Sequence, residues 1–355
     1  MQYEHLIKVI KDNTIMTNIK ERKNWIDWMK AVGMLLIVWG HCFPDGGVSE
    51  FLYAFNVPLF FIISGYLTRR ESSMAVCWDK CLHNLVIPYF ILSLIKVAGF
   101  ILKHLDDGLW AWSLFGVTFG FHSVNGASGC GNLWFVYALI VIKLIFQVFV
   151  HGNRSMLVVC VLSLCGAFAY NYFQVEMAWG VADAMLALPF FMLGNLGSSV
   201  LKEPFNAFIG NMRRTSAAAR WCMVAALAAA TYIIGIYNGE ASMFMGQYGN
   251  SLAVFITGAV TGSLAILMLS VLLDKVRLSV VSVISAGSIV ILEFHREFLH
   301  PVMKLIGKLA PPTWQEVILT FALSLAATLA FVPIIMILKR YFPIVFGRRA
   351  QNIRL

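Results

Sequence analysis

Lys30 and His41 share one apolar stretch, ERKNWIDWMKAVGMLLIVWGHC, and their spacing gives them a common face. Eleven helical steps of 100° end about 20° past three full turns, so both side chains project from one stripe, about 16 Å apart along the axis. Asp27 falls near the same stripe one turn ahead of Lys30, where its carboxylate would pair with the ammonium. An imidazole is the side chain best suited to take a hydroxyl proton near neutral pH. A fixed ammonium suits phosphate groups. Plainer readings stand beside these: a lysine snorkelling to an interface, and a helix-end histidine bonded to a carbonyl.

The elements that position these residues are membrane spans. The 355 residues are 59% hydrophobic and 13% charged, where soluble domains run at roughly 25% charged. So greasy a chain would expose apolar patches beyond what stays monomeric in water. Segments of spanning length occur at 26–43, 51–67, 82–102, 131–150, 156–173, 181–199, 219–237, 251–273, 280–299 and 316–338. The expected fold is therefore an all-α integral membrane protein of about ten transmembrane helices. Pro58, Pro88, Pro189 and Pro333 interrupt spans and predict kinks, tolerable where neighbouring helices line a cavity.

Charge placement gives the orientation. With both termini cytoplasmic, twenty of the 27 Lys and Arg fall on the inside, four on the outside and three within spans. That is the positive-inside asymmetry, and an odd number of spans would spoil it. The chain then divides into a cytoplasmic segment 1–25, a single transmembrane domain 26–338 and a basic cytoplasmic tail 339–355. The first 25 residues lack the apolar stretch of a cleavable signal, so the first helix is expected to serve as the anchor. The net charge of +9 is scattered in short runs between apolar segments, which argues against a nucleic-acid partner. Seven cysteines match neither a disulfide framework nor a zinc signature, so no metal is expected.

Two outer segments are more than turns. Residues 103–130 carry Trp110, Trp112, Phe115, Phe119, Phe121 and His122, either as an interfacial aromatic belt or as a lid over a site. Residues 238–250, NGEASMFMGQYGN, are nearly uncharged and would line the same outer vestibule. An ionisable group inside a span is costly enough to count as a functional candidate, which keeps Lys30 and His41 in view.

The second span reads FNVPLFFIISGYL over 55–67. A cation eleven positions ahead of a histidine in the first span, followed by this Phe-x-x-Pro-Leu-Phe-Phe-x-x-Ser-Gly-Tyr segment, resembles the acyltransferase-3 family of membrane sugar O-acyltransferases, most closely its fucose 4-O-acetylase-like branch. LVIPYF (85–90), GNLWFVYALI (131–140), LPFFMLGNL (188–196) and ISAGSIVILEFH (284–295) are similar to later segments of that family. The likeness is dense over 25–90 and looser after 200. Two departures stand out. Asn56 occupies a position where relatives in this branch often carry histidine. Glu293 is an unusual acid beside His295, and the two lie about 200° apart on a helix, so they cannot both face one site.

The resemblance implies transfer of an acyl group, usually acetyl from acetyl-CoA, to a hydroxyl of a cell-surface polysaccharide or lipid-linked glycan. Acetyl-CoA would be the cosubstrate, the sugar and membrane lipids the partners, and a cell inner (cytoplasmic) membrane the location. His41 would be the general base, Lys30 a contact for the donor's phosphates, and Asp27 the group orienting Lys30. Ser64, Tyr66 and Asn56 would polarise the thioester carbonyl or bind substrate, although Ser64-Gly65 also suits close helix packing. Trp134, as platform or interface anchor, His295 and Glu293 complete the substrate-side candidates. Direct transfer and an acyl-histidine intermediate are both open. The alternatives from other classes are a secondary transporter, although the two halves show no internal repeat, and a catalytically inactive membrane protein.

Overall fold

A computed structural model describes residues 23–43, 46–173, 177–309 and 313–347. Most of the N-terminal segment 1–25 and the end of the basic tail 339–355 lie outside the described residues. The helices, in chain order, are α1 (Asn24–Gly40), α2 (Gly47–Tyr53), α3 (Asn56–Leu67), α4 (Met74–Cys81), α5 (Ile87–Lys103) and α6 (Leu109–Phe119). There follow α7 (Trp134–Phe149), α8 (Asn153–Phe173), α9 (Val181–Ser198), α10 (Lys202–Arg214) and α11 (Ala217–Asn238). The last are α12 (Leu252–Leu272), α13 (Ser279–Ala286), α14 (Ser288–Leu309) and α15 (Thr313–Tyr341). Strands among the described residues are confined to one two-residue hairpin, β1 (Ser123–Val124) with β2 (Ala127–Ser128).

Eight helical segments among the described residues are long and apolar enough to cross a membrane, and a bent pair, α13 with α14, makes a ninth. α1, at 17 residues, sits at the lower limit of spanning length. Together they account for the ten segments read from the sequence. The chain is an all-α integral membrane protein.

The ninth segment is not the single helix its apolar run predicts. It turns by 87° at Gly287. A side chain there would meet the Ile335 Cδ1 atom at 2.3 Å, so only glycine lets α15 come this close to the corner. Proline explains two other irregularities. Its ring clashes with the carbonyl four residues earlier. For Pro58 that carbonyl belongs to Ala54, where α2 stops and α3 has yet to start. For Pro88 it belongs to Asn84, inside the π-helical turn Leu82–Val86.

α3 and α9 pack backbone to backbone. A Cβ on Gly65 would fall 1.8 Å from the carbonyl oxygen of Phe191, and one on Gly194 1.9 Å from that of Ile62. Small residues replace apolar burial as the association device in lipid. α8 and α11 lie at the periphery, with Leu157, Leu162, Ile233 and Tyr237 exposed. α1 is central, burying Met29, Met34, Ile37 and Val38. The Asp27 carboxylate accepts from the Ser285 hydroxyl at 2.6 Å, Trp39 Nε1 donates to Thr320 Oγ1 at 3.2 Å, and the Cys42 thiol lies 3.4 Å from Ser324 Oγ. These bonds fix α1 against α13 and α15.

The segment 103–130 forms a cap. Tyr89 on α5 donates to the Val117 carbonyl and Tyr137 on α7 to that of Thr118, both at 2.6 Å. They hold α6 on the bundle. Trp110, Trp112 and Phe115 stay exposed on α6.

Candidate functional site

A cavity of about 830 Å³ opens along α1, within the size range of ligand sites. Lys30, Met34, Ile37 and His41 line it in succession. That is one helical stripe, so the face predicted from the eleven-residue spacing is the face turned to the cavity. Asn84, Ser285, Val345 and Phe346 contribute lining residues at the Lys30 end, and His122, Glu240, Phe244, Arg296 and His300 at the His41 end.

His41 follows the last residue of α1. Its backbone N–H donates to Ile37, and its ring stands 6.2 Å edge-on from Tyr53 and 4.8 Å from His295. Asn56 enters from the start of α3. Its Oδ1 accepts from the N–H of Val57 at 2.8 Å, while Nδ2 is buried without a hydrogen-bond partner among the described residues. A donor buried on a cavity wall with nothing to donate to is an uncommon arrangement. It suits an oxygen that arrives with a ligand. Ser64 and Trp134 also line the cavity.

The other candidates lie elsewhere. Tyr66 is 200° from Ser64 on α3 and faces away from the cavity. Its hydroxyl accepts from Lys23 Nζ at 2.7 Å, and its ring packs on Trp25 and Phe205. Asp27 does not line the cavity; it holds Ser285. Glu293 points to α5, where Lys96 Nζ stands 3.6 Å from its Oε2 and 3.7 Å from Glu297 Oε1. Lys96 also donates to the Glu293 carbonyl at 3.1 Å. His295, on the other side of the helix, backs His41 instead of lining the cavity. The two residues divide between faces, as their spacing requires.

Sequence reasoning missed several wall residues. Arg296 and His300 look like flanking polar residues in a linear reading, whereas His122 belongs to the 103–130 segment that one reading already made a lid over a site. His122 Nδ1 donates to the Gly131 carbonyl at 3.1 Å, and its ring lies 4.6 Å from that of Phe244. Burial holds its pKa below the ordinary histidine value, against the opposing pull of the Gly131 bond. Phe244 arrives on the loop 239–250. Asn238 shapes that loop, donating to Tyr248 at 2.6 Å and accepting from the Ser251 N–H at 3.0 Å. The expectation that this segment lines an outer vestibule matches the positions of Glu240 to Phe244. Among the described residues, no group of three or more His, Cys, Asp or Glu side chains converges as a metal site would.

Comparison with known proteins agrees with this architecture. The family described as "Acyltransferase domain" (Acyl_transf_3) matches residues 23–337. The inner membrane protein YcfT of Escherichia coli (strain K12) is 26% identical over 212 residues, half of this chain. The chain spans about 56% of the length of that relative. No solved structure matches.

Proposed function

From the premise that this chain belongs to the acyltransferase-3 family, we propose that it is a membrane O-acetyltransferase, moving an acetyl group from acetyl-CoA to a hydroxyl of a cell-surface polysaccharide or lipid-linked glycan. The observation that carries the reading is one cavity lined along a single stripe of α1 by a cation and an imidazole, Lys30 and His41, three turns apart. The location that fits is the inner membrane, where the relative YcfT is placed by its name.

Acyl-CoA is charged and cytoplasmic, so it enters from the end of the cavity that holds Lys30. The ammonium meets its phosphates. The pantetheine arm follows the apolar stripe of Met34 and Ile37 toward His41. The sugar approaches from the other mouth, between Arg296, Glu240 and the Phe244–His122 ring pair; aromatic faces with polar neighbours suit a sugar.

His41 takes the hydroxyl proton as the oxygen attacks the thioester carbonyl. Negative charge then develops on the carbonyl oxygen, and Asn56 Nδ2 is the donor available to meet it. The C–S bond breaks, and the departing thiolate takes the proton back from His41. Asp27 acts at one remove, by fixing α1 and α13 where Lys30 enters the cavity.

The test is transfer itself. Protein in lipid nanodiscs is given acetyl-CoA and a panel of envelope glycans, with release of free CoA thiol and the mass gain of the glycan followed together. Equal yields of thiol and acetylated sugar support the reading. Solute uptake into vesicles without either product would replace it with transport.

A further inference from the structure

His295 approaches His41 from α14, and its protonation is fixed by what surrounds it. The residue is fully buried, and the two rings lie 4.8 Å apart at 37°. His295 Nδ1 is 2.9 Å from the carbonyl oxygens of both Ile291 and Leu292. A carbonyl oxygen only accepts, so the proton of the neutral ring sits on Nδ1. Nε2 is then a bare acceptor. It is buried with no hydrogen-bond partner among the described residues, a state native structures rarely leave uncompensated. The imidazole in contact with it, His41, always has an N–H to give.

We infer that His295 is the positioning residue for His41: its Nε2 accepts the His41 N–H during turnover, fixing one tautomer and turning the other nitrogen's lone pair toward the acceptor hydroxyl. The inference rests on the acyltransferase reading and adds to it the group that orients the base. The same task falls to the aspartate of hydrolytic triads. A neutral acceptor suits this site better than a carboxylate, because an unpaired charge would be costly to bury there. The nearby acid, Glu293, is turned to Lys96. No net proton passes to His295. His41 collects the hydroxyl proton and returns it to the thiolate, while the His41–His295 hydrogen bond stabilises the transient imidazolium.

The experiment uses full-length protein in nanodiscs, labelled with ¹⁵N-histidine, with the His41 ring signals assigned by their loss in His41→Gln. Wild type and His295→Gln, whose amide oxygen replaces the Nε2 acceptor, should each show one dominant His41 tautomer. His295→Phe, or His295→Met where the larger ring does not fold, should show a mixture. In acetyl transfer, the variant lacking an acceptor should lose about 100-fold in kcat with donor KM nearly unchanged. His295→Gln should recover about tenfold of that loss. Unchanged His41 signals in the acceptor-free variant would overturn the inference. So would a fall in kcat that His295→Gln does not relieve, since a packing role predicts that result. A wild-type protein that shows no acyl transfer would sink the proposed function, while the ring signals would still decide the pairing.

Discussion

Lys96 of α5 and Glu293 of α14 form an ion pair inside the bundle, 3.6 Å apart, with the glutamate fully buried. Gly131, at φ +56°, makes room for the lysine; a Cβ there would stand 2.7 Å from its Nζ. Glu297 and the Glu293 carbonyl complete the lysine's surroundings. The pair anchors the helix that carries Arg296 to the cavity and His295 to the back of His41.

Breaking that pair from one side should be worse than removing it. Lys96→Met leaves a buried carboxylate without its cation, a loss of about 3–5 kcal/mol. The double variant Lys96→Met/Glu293→Gln should recover much of the loss. Thermal unfolding followed by fluorescence-detected size exclusion gives the comparison. Equal melting of the single and double variants would show that the pair does not anchor α14.

The close approach of α3 and α9 at Gly65 and Gly194 predicts intolerance to a single methyl. Gly65→Ala and Gly194→Ala each drive a Cβ to within 2 Å of a backbone carbonyl oxygen, and overpacking of this kind costs about 1–3 kcal/mol. Both should lower the melting temperature by several degrees. Gly99→Ala, with no heavy atom within 4 Å of its Cβ, should not. Wild-type melting of Gly65→Ala would mean that α3 and α9 are free to separate.

Some of this was legible in the sequence and some was not. Lys30, Met34, Ile37 and His41 sit on one helix, so 3.6-residue periodicity was enough to put them on one face. The 200° between Glu293 and His295 likewise foretold that they would part. Periodicity says nothing of which face meets which partner. His295 against His41, Lys96 against Glu293, and the arrival of His122, Phe244 and Arg296 at one mouth all depend on contacts between distant segments. The 87° turn at Gly287 was hidden because the run on both sides of it is apolar, and the residue packed into its corner, Ile335, comes from another helix. Ser64 and Tyr66, read together as groups that polarise the thioester carbonyl or bind substrate, face opposite sides of α3.

Lys30 should matter to the donor and not to the sugar. Lys30→Ala is expected to raise the apparent KM for acetyl-CoA about tenfold or more, with a smaller change for the acceptor. A change confined to the acceptor would move Lys30 out of the phosphate site.

Asn56 should matter to kcat. Replacing its unpartnered Nδ2 by a methyl group in Asn56→Ala removes the donor proposed for the developing oxyanion, a loss of about 10²–10³ in kcat. Steady-state transfer with both KM values measured is the check. A variant that loses affinity for the sugar at unchanged kcat would make Asn56 a binding residue.

His41 is the proposed base at the meeting point of donor and sugar. The direct measurement is acetyl transfer by purified His41→Gln protein in nanodiscs, at saturating acetyl-CoA and with its melting curve recorded alongside. If His41 is the base, kcat falls by at least about 10²-fold in a protein that melts as the wild type does. Near-normal transfer by that variant would contradict that role.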